Sequence, residues 1–164
     1  LIDKKRAIER INYEKTYLKL KNEKIVSQQI IKPQKIMINL ADLELLKEYK
    51  DQIISLGYNI SKILEDGIEI NSIPVGIKNS NLDNIINLFL EQLKNKPTNI
   101  NTDFLQATSK QITYNKYSKD MLMITSTKDG LHSMITELLN CETPFIGIDK
   151  KPCVIEIEPQ KFFN

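Results

Sequence analysis

Several residue types that build metal and nucleotide sites are scarce in this sequence. Its 164 residues include one histidine, two cysteines and no tryptophan. The cysteines, Cys141 and Cys153, lack the spacing of a zinc site and are too few for a disulfide framework. Five glycines are present, and no glycine-rich nucleotide loop is found among them. We therefore expect a reduced, cytoplasmic setting and no ATP hydrolysis by this stretch of chain.

Charge and hydropathy exclude two further classes of protein. The net charge is +2, and no long basic run is present, whereas phosphate contacts usually require a concentrated basic face. No apolar run reaches the roughly 18 residues of a membrane span, and no signal-peptide pattern occurs. Because the chain begins without methionine, in what reads as the end of a strand, we expect it to be part of a longer protein with no membrane partner.

Apolar spacing and capping residues predict a mixed α/β fold without internal repeats. A first helix is predicted over residues 4 to about 21, capped by Asp3. Further helices are predicted from Asn39 to about Leu56, over 81–95, over about 103–124 and over 129–140. Strands are predicted at 34–38 and 153–157, together with a hairpin of 58–64 and 68–73 that turns at Glu65-Asp66-Gly67.

The opening stretch, LIDKKRAIERINYEK, raises the question of a metal site. Glu9 and Glu14 lie on the first predicted helix, and acids at such spacing can help to hold a divalent cation. The cations Lys4, Lys5 and Arg6 come just before them, where they would repel such an ion or simply be solvated.

Three motifs occur in the order seen in the C-terminal domain of the MutL family of mismatch-repair proteins. LIDKKRAIERINYEK resembles the family stretch that reads D-Q-H-A-x-x-E-x-x-x-x-E in its nuclease branch. ISLGYNISKILEDGIEINSIPVGI is similar to a segment in which a helix end leads to a hairpin and then to Val-Pro. LLNCETPFIGIDKKPCVIEI is similar to the family's end, where a loop of the form C-P-H-G-R-P-T precedes the last strand. The resemblance spans essentially all 164 residues.

The resemblance implies a fold of two subdomains. Residues 1–32 and 116–164 would form a homodimerising subdomain, and residues 33–115 an inserted outer, regulatory subdomain. It also implies a longer protein with an N-terminal GHKL-type ATPase that binds ATP and Mg²⁺, whereas this domain would need no cofactor. The implied partners are a second copy of the chain, the mismatch recognition protein MutS and DNA, in a bacterial cytoplasm at the nucleoid.

The metal ligands of the nuclease branch are mostly replaced in this sequence. The family histidine corresponds to Lys5, which cannot coordinate a metal while protonated and which can pair with Glu9 four residues on. The cysteine and histidine of the closing loop become Gly147, Ile148 and Asp149. We therefore predict a non-catalytic scaffold in mismatch repair. The relic positions of its metal site are Asp3, Lys5, Glu9, Glu14 and Asp149.

Two alternatives to this interpretation stay open at the level of sequence. Glu9, Glu14 and Asp149 could hold Mg²⁺ or Mn²⁺ through oxygen alone, which would give a metal-dependent, clamp-stimulated nicking endonuclease with substituted ligands. The chain could also be a small α/β binding module unrelated to the family. A monomeric chain whose first helix packs far from the last strand would favour that third interpretation.

The stretch QQIIKP, at 28–33, resembles the family's motif for binding the DNA sliding clamp, Q-x-φ-φ-x-P. Gln28 would anchor by hydrogen bonds while Ile30 and Ile31 enter an apolar groove of the clamp, followed by Pro33. The structural alternative is an extended lead-in to a strand, with both isoleucines in the core.

Five other side chains stand out by their residue type. His132 is predicted on a polar helix face, solvated rather than catalytic, and Cys141 and Cys153 are predicted in the core. Phe162 and Phe163 need cover from water, which a dimer interface would supply.

Overall fold

The computed structural model describes residues 1–78, 82–95, 99–116 and 127–157 of the chain. Helices and strands alternate irregularly, which confirms the mixed α/β fold. In chain order the elements are α1 (Lys4–Asn22), β1 (Ser27–Met37), α2 (Leu40–Glu48), α3 (Lys50–Ser55), β2 (Asn59–Leu64), β3 (Gly67–Pro74), α4 (Leu82–Lys94), α5 (Ile100–Lys116) and α6 (Lys128–Leu139). No helix within the described ranges is long and apolar enough to cross a membrane.

The chain divides into two compact units. The first unit comprises Leu1–Thr16 and Lys116–Asn164, and the second comprises Tyr17–Asn115. Residues 17–32, which the sequence prediction assigns to the first subdomain, fall in the second unit. The roles of the two subdomains, one for dimerisation and one outer, stay predictions.

The second unit contains an antiparallel sheet with the strand order β1-β3-β2. Strands β2 and β3 form the predicted hairpin. Leu64 pairs with Gly67, so Glu65 and Asp66 connect the two strands, within the predicted turn Glu65-Asp66-Gly67. Gly67 instead begins β3. A Cβ atom at Gly67 would overlap the carbonyl oxygen of Ile36, so glycine allows β1 to approach.

Strand β1 is longer than the predicted strand at 34–38. It begins at Ser27 and pairs with β3 along most of its length, with an irregularity of register between Gln29 and Gln34. Such a bulge leaves extra residues unpaired and lets a strand carry Pro33, which has no N–H to donate. The QQIIKP stretch therefore lies inside a strand rather than in front of one.

Helices and sheet of the second unit enclose one apolar core. The helix predicted from Asn39 to Leu56 is two helices, since Tyr49 leaves helical geometry with φ −105° and ψ 18°. Asn39 caps α2 as predicted, because its side chain accepts a hydrogen bond from the amide of Asp42. Phe89 of α4 lies at the centre of the core, with its ring centroid 4.3 Å from that of Phe104.

The first unit has a smaller core between the first turns of α1 and helix α6. Its buried side chains are Ala7, Ile8, Ile11, Met134, Leu138 and Cys153. The strand predicted at 153–157 is reduced to a single bridge between Ile2 and Val154. Because its partner within the described residues is the short stretch before α1, no longer ladder forms there.

Candidate functional site

Asp3 joins the start of α1 to the residues near position 153. Its amide donates a hydrogen bond to the carbonyl of Cys153 at 2.8 Å. Its carboxylate caps the helix, because Oδ1 accepts a hydrogen bond from the amide of Arg6 at 3.1 Å. Asp3 therefore serves as the predicted N-cap, and at the same point the chain is tied to the segment that follows the closing loop.

The closing loop, residues 145–152, is a tight turn. The amide of Gly147 donates to the carbonyl of Lys151 at 2.7 Å, and the amide of Lys150 donates back to Gly147 at 3.0 Å. Lys150 adopts a left-handed conformation with φ 64°, which is uncommon for a residue with a side chain. Asp149 supports the turn, because its Oδ1 accepts a hydrogen bond from the amide of Lys151 at 3.2 Å.

Two arginines of α1 hold this loop. Arg6 Nε lies 3.1 Å from Asp149 Oδ2, and Arg6 Nη1 contacts Asp3 Oδ2. Arg10 donates to the carbonyl of Ile146 at 2.7 Å and to that of Gly147 at 3.0 Å. The first helix therefore packs directly on the closing loop that precedes the predicted last strand. An unrelated binding module would be favoured by a first helix far from that strand, so one of the two conditions for that interpretation is not met.

Sequence reasoning missed the role of these arginines. It grouped Arg6 with Lys4 and Lys5 as a cation that is solvated or repels a metal, whereas Arg6 is paired with two carboxylates. A signal was present in the composition, since Arg6 and Arg10 are the two arginines among 23 basic residues and lie one helical turn apart.

Glu9 is buried beside the two arginines. Its side chain is only 8% exposed, and its Oε1 lies 3.9 Å from Lys5 Nζ, at the predicted i,i+4 spacing. Burial raises the pKa of the Glu9 carboxyl above its ordinary value, and the ammonium group of Lys5 opposes that shift. The negative charges of Asp149 and Asp3 act in the same direction as burial.

Glu9→Gln is expected to raise the denaturation midpoint at pH 7. A carboxyl whose pKa is higher in the folded chain adds stability at low pH, where it is protonated in both states, and that stability is lost as the pH rises through the folded pKa. The uncharged amide avoids this cost at pH 7, and its advantage should vanish near pH 4. Urea denaturation of both proteins across this range measures the difference.

The matched control for this experiment is Glu44→Gln. Glu44 is an exposed acid that pairs with Lys47 at 2.6 Å, so its removal should change stability by no more than about 0.5 kcal/mol at any pH. A midpoint for Glu9→Gln that lies below that of the unmodified chain at pH 7, with a difference that shrinks toward pH 4, would show that the contact with Lys5 outweighs the burial of the charge.

Glu14 serves a different contact from Glu9. Its carboxylate accepts hydrogen bonds from the amides of Glu142 at 2.7 Å and Thr143 at 3.4 Å, and Arg10 Nη1 lies 3.6 Å away. It therefore fixes the chain just after α6.

Three of the predicted relic positions, Glu9, Glu14 and Asp149, have other partners in this structure. Within the described parts of the chain, no group of three His, Cys, Asp or Glu side chains is placed to hold one. Glu9 faces Lys5, Glu14 binds two amides, and Asp149 binds Arg6. A metal ion would have to displace these cations and amide donors before it reached the oxygens.

The QQIIKP stretch is divided between the two faces of β1. Gln28 Nε2 donates a hydrogen bond to the carbonyl of Ile77 at 3.1 Å. Ile30 lies in the core of the second unit, while Ile31 is fully exposed and Pro33 is also exposed. Neighbouring residues of a strand point to opposite faces, so the two isoleucines cannot both face a groove in this conformation.

The remaining candidate residues have structural surroundings. His132 is exposed on α6, as predicted, and Cys153 is buried with its thiol 3.0 Å from the carbonyl of Pro144. Cys141 is half-buried, and burial raises the pKa of its thiol to about 11, so it stays protonated at neutral pH. The terminal phenylalanines, Phe162 and Phe163, lie outside the described residues.

The first unit exposes several large apolar side chains around this loop. Phe145 is 56% exposed and Ile155 is 54% exposed, and Ile146 and Leu1 are exposed as well. Leu1 and Ile155 are neighbours, because two backbone hydrogen bonds of 2.7 and 2.9 Å join them. The amide of Cys153 donates to the carbonyl of Phe145 at 2.9 Å. We call the set Leu1, Phe145, Ile146 and Ile155 the exposed apolar set.

Comparison with known proteins gives a consistent result. The family model described as the MutL C-terminal dimerisation domain matches residues 1–121. A DNA mismatch repair protein MutL from Agathobacter rectalis is 28% identical over 96% of this chain and 24% of that protein. The MutL protein of Christiangramia forsetii is 34% identical over 57% of the chain and 14% of that protein. The MutL protein of Rickettsia bellii is 26% identical over 90% of the chain and 24% of that protein.

The match covers more than half of the chain, and it includes the first two of the three sequence motifs. The chain spans about a quarter of the length of the curated relatives that it matches along most of its own length. On this evidence, the chain belongs to the family of MutL C-terminal dimerisation domains.

Proposed function

We propose that this chain is the homodimerising, non-catalytic C-terminal scaffold of a DNA mismatch repair protein MutL. The observation that carries the proposal is the exposed apolar set on the first unit. Family membership supports the proposal, and so does the similarity to proteins named DNA mismatch repair protein MutL. Because the chain spans about a quarter of those relatives, the repair activity belongs to a longer protein.

Among its described residues, the first unit has a small buried core beside these exposed apolar side chains. Its buried cluster includes small side chains such as Ala7 and Cys153, while Phe145 and Ile155 remain more than half exposed. A group of exposed large apolar side chains is typical of a protein interface, and an obligate homodimer usually buries on the order of 2,000 Å² or more. A second copy of the chain, which presents the same apolar residues, is the partner that we propose.

Dimerisation gives the longer protein a mechanical function. Two N-terminal GHKL-type ATPase arms, which would use ATP and Mg²⁺, are held on one assembly by their C-terminal domains. The tether raises the effective concentration of one arm for the other, so that closure around DNA becomes an intramolecular step. In this proposal MutS and DNA are partners of the longer protein, at the nucleoid of a bacterial cell.

Sedimentation velocity of the 164-residue chain tests the proposed scaffold directly. A dimer is expected at micromolar concentration, because an interface of obligate size does not dissociate in that range. A monomer across the whole concentration range would remove the scaffold function.

We further propose that the metal site of the family's nuclease branch is degenerate here. Three features support this proposal. Lys5 stands where a histidine ligand is expected, Glu14 is engaged by backbone amides, and Asp149 is paired with Arg6. Together they place two cations close to the oxygens that remain, which lowers the affinity for any dication.

Supercoiled plasmid is therefore expected to stay intact when it is incubated with this chain, Mn²⁺ and a sliding clamp. The control is a variant with Glu9 replaced by Ala, which should give the same result. Nicking that requires Mn²⁺ and disappears in Glu9→Ala would instead support the alternative, a clamp-stimulated endonuclease with substituted ligands.

Binding to the sliding clamp is a second candidate function, and one observation favours it. Ile31 is fully exposed on β1, and the neighbouring Pro33 is exposed as well. An exposed isoleucine at a bulged strand edge is free to enter an apolar groove on a partner. We therefore propose Ile31 and Pro33 as the contacts of this motif, whereas Gln28 and Ile30 would have to leave their present partners to contribute.

A further inference from the structure

We propose that Arg6 is a built-in cation, whose guanidinium group holds Asp3 and Asp149 together and so fixes the closing loop on the first helix without a metal ion. This inference rests on the proposed loss of the metal site.

The geometry shows one cation shared by two carboxylates from distant parts of the sequence. Arg6 Nε lies 3.1 Å from Asp149 Oδ2, and Arg6 Nη1 contacts Asp3 Oδ2. A guanidinium group can serve two carboxylates at once because its N–H donors point in fixed, separate directions. The ammonium group of a lysine is a single point charge and cannot span them equally well.

Both carboxylates transmit this contact to the backbone. Asp3 Oδ1 accepts a hydrogen bond from the amide of Arg6 at 3.1 Å, which caps α1. Asp149 Oδ1 accepts a hydrogen bond from the amide of Lys151 at 3.2 Å, which closes the turn of the loop. The guanidinium group therefore connects the first turn of α1 to the conformation of the closing loop.

Gly147 leaves the space that this pair needs. A Cβ atom at Gly147 would lie 2.7 Å from Asp149 Oδ1 and 3.2 Å from Arg6 Cδ. The first distance is shorter than real Cβ contacts, so the carboxylate or the loop would have to shift. The absence of a side chain at Gly147 is thus matched to the stem of Arg6 and to the carboxylate that it binds.

Arg6 is surrounded by acidic groups, whose negative charges repel one another. Asp3, Glu9 and Asp149 contribute three acidic groups, and Lys5 lies 3.9 Å from Glu9. Without Arg6, Asp3 and Asp149 would lose the cation that they share. With Arg6 in place, the closing loop keeps its position without any ion from solution. Phe145, at the start of that loop, is held in place with it.

Amide hydrogen exchange of the 164-residue chain tests this inference. In Arg6→Gln, the amides of Gly147 and Lys151 are expected to exchange roughly tenfold faster or more, because local opening of the loop becomes easier. Arg6→Lys should fall between Arg6→Gln and the unmodified chain. Asp149→Asn alone should give the same increase at Lys151, with no further increase when it is combined with Arg6→Gln.

Lys24→Gln provides the control, since it removes one positive charge from an exposed side chain in the second unit. Unchanged exchange in Arg6→Gln, or full protection in Arg6→Lys, would overturn the inference. Should Arg6→Gln fail to fold by circular dichroism, Gly147→Ala takes its place, and it is expected to expose the same two amides.

The same samples separate this inference from the proposed loss of the metal site. MnCl₂ is added at about 1 mM, a concentration at which even a weak cation site would be occupied. In the unmodified chain, the amide exchange rates and the intensities of the amide NMR signals should not change. If Mn²⁺ broadens the amide NMR signal of Asp149 in the unmodified chain, a metal ion binds there, and the proposal that the metal site is degenerate would be contradicted. No broadening, together with an unaffected loop in Arg6→Gln, would contradict the role of Arg6 alone.

Discussion

Phe145→Glu is expected to convert the chain from a dimer to a monomer at micromolar concentration. Phe145 is 56% exposed on the first unit, beside Ile146. An aromatic side chain at the centre of an interface commonly contributes about 2–4 kcal/mol or more, which is roughly a 30- to 1,000-fold change in dissociation constant. A carboxylate in its place would also be buried without a partner.

Sedimentation velocity measures this change, and circular dichroism shows whether the helices remain. The matched control is Ile31→Glu. Ile31 is an exposed apolar residue like Phe145, but it lies on β1 of the second unit. That variant should stay dimeric. Ile155→Glu should behave like Phe145→Glu. A chain that remains dimeric in both first-unit variants would show that the interface lies elsewhere on the surface.

Ile30→Ala is expected to destabilise the chain by about 2–5 kcal/mol, whereas Ile31→Ala should change stability by less than about 0.5 kcal/mol. The two residues are neighbours of the same type, but Ile30 is buried in the core of the second unit and Ile31 is fully exposed. Truncation of Ile30 leaves a cavity, and truncation of Ile31 removes side chain from water. Urea denaturation of the two variants gives both values.

The same pair tests the contact with the sliding clamp. Ile31→Ala should weaken capture of the chain by immobilised clamp while the fold remains intact. The capture assay contains no urea and is run at a temperature where Ile30→Ala is folded. Loss of capture in Ile30→Ala alone would show that the buried face of β1 opens to bind. Equal capture by all three proteins, the unmodified chain included, would remove this motif as a clamp contact.

Local features of the fold were predictable from the sequence because they depend on a few neighbouring residues. Asn39 caps α2, Asp3 caps α1, and the hairpin of β2 and β3 forms where it was predicted. Each depends on contacts within about four residues or across a short turn, where residue type and spacing determine geometry.

Features that depend on distant contacts were missed for the same reason. The pairing of Arg6 with Asp149 joins residues 143 positions apart, and no local pattern encodes it. The burial of Glu9 likewise results from packing against the rest of its unit. The predicted strand at 153–157 has suitable alternation, but its length depends on the partner available, which is the short stretch at Ile2.

The division of the chain also determines the order in which it can fold during synthesis. The second unit, Tyr17–Asn115, is one continuous stretch, whereas the first unit needs both Leu1–Thr16 and residues that follow Lys116. On the ribosome the inserted unit is therefore complete while the first unit still lacks α6 and the closing loop. The apolar residues Phe145 and Ile155 are made after the whole of Tyr17–Asn115, so nascent chains on one messenger have little opportunity to associate through them before the inserted unit has folded.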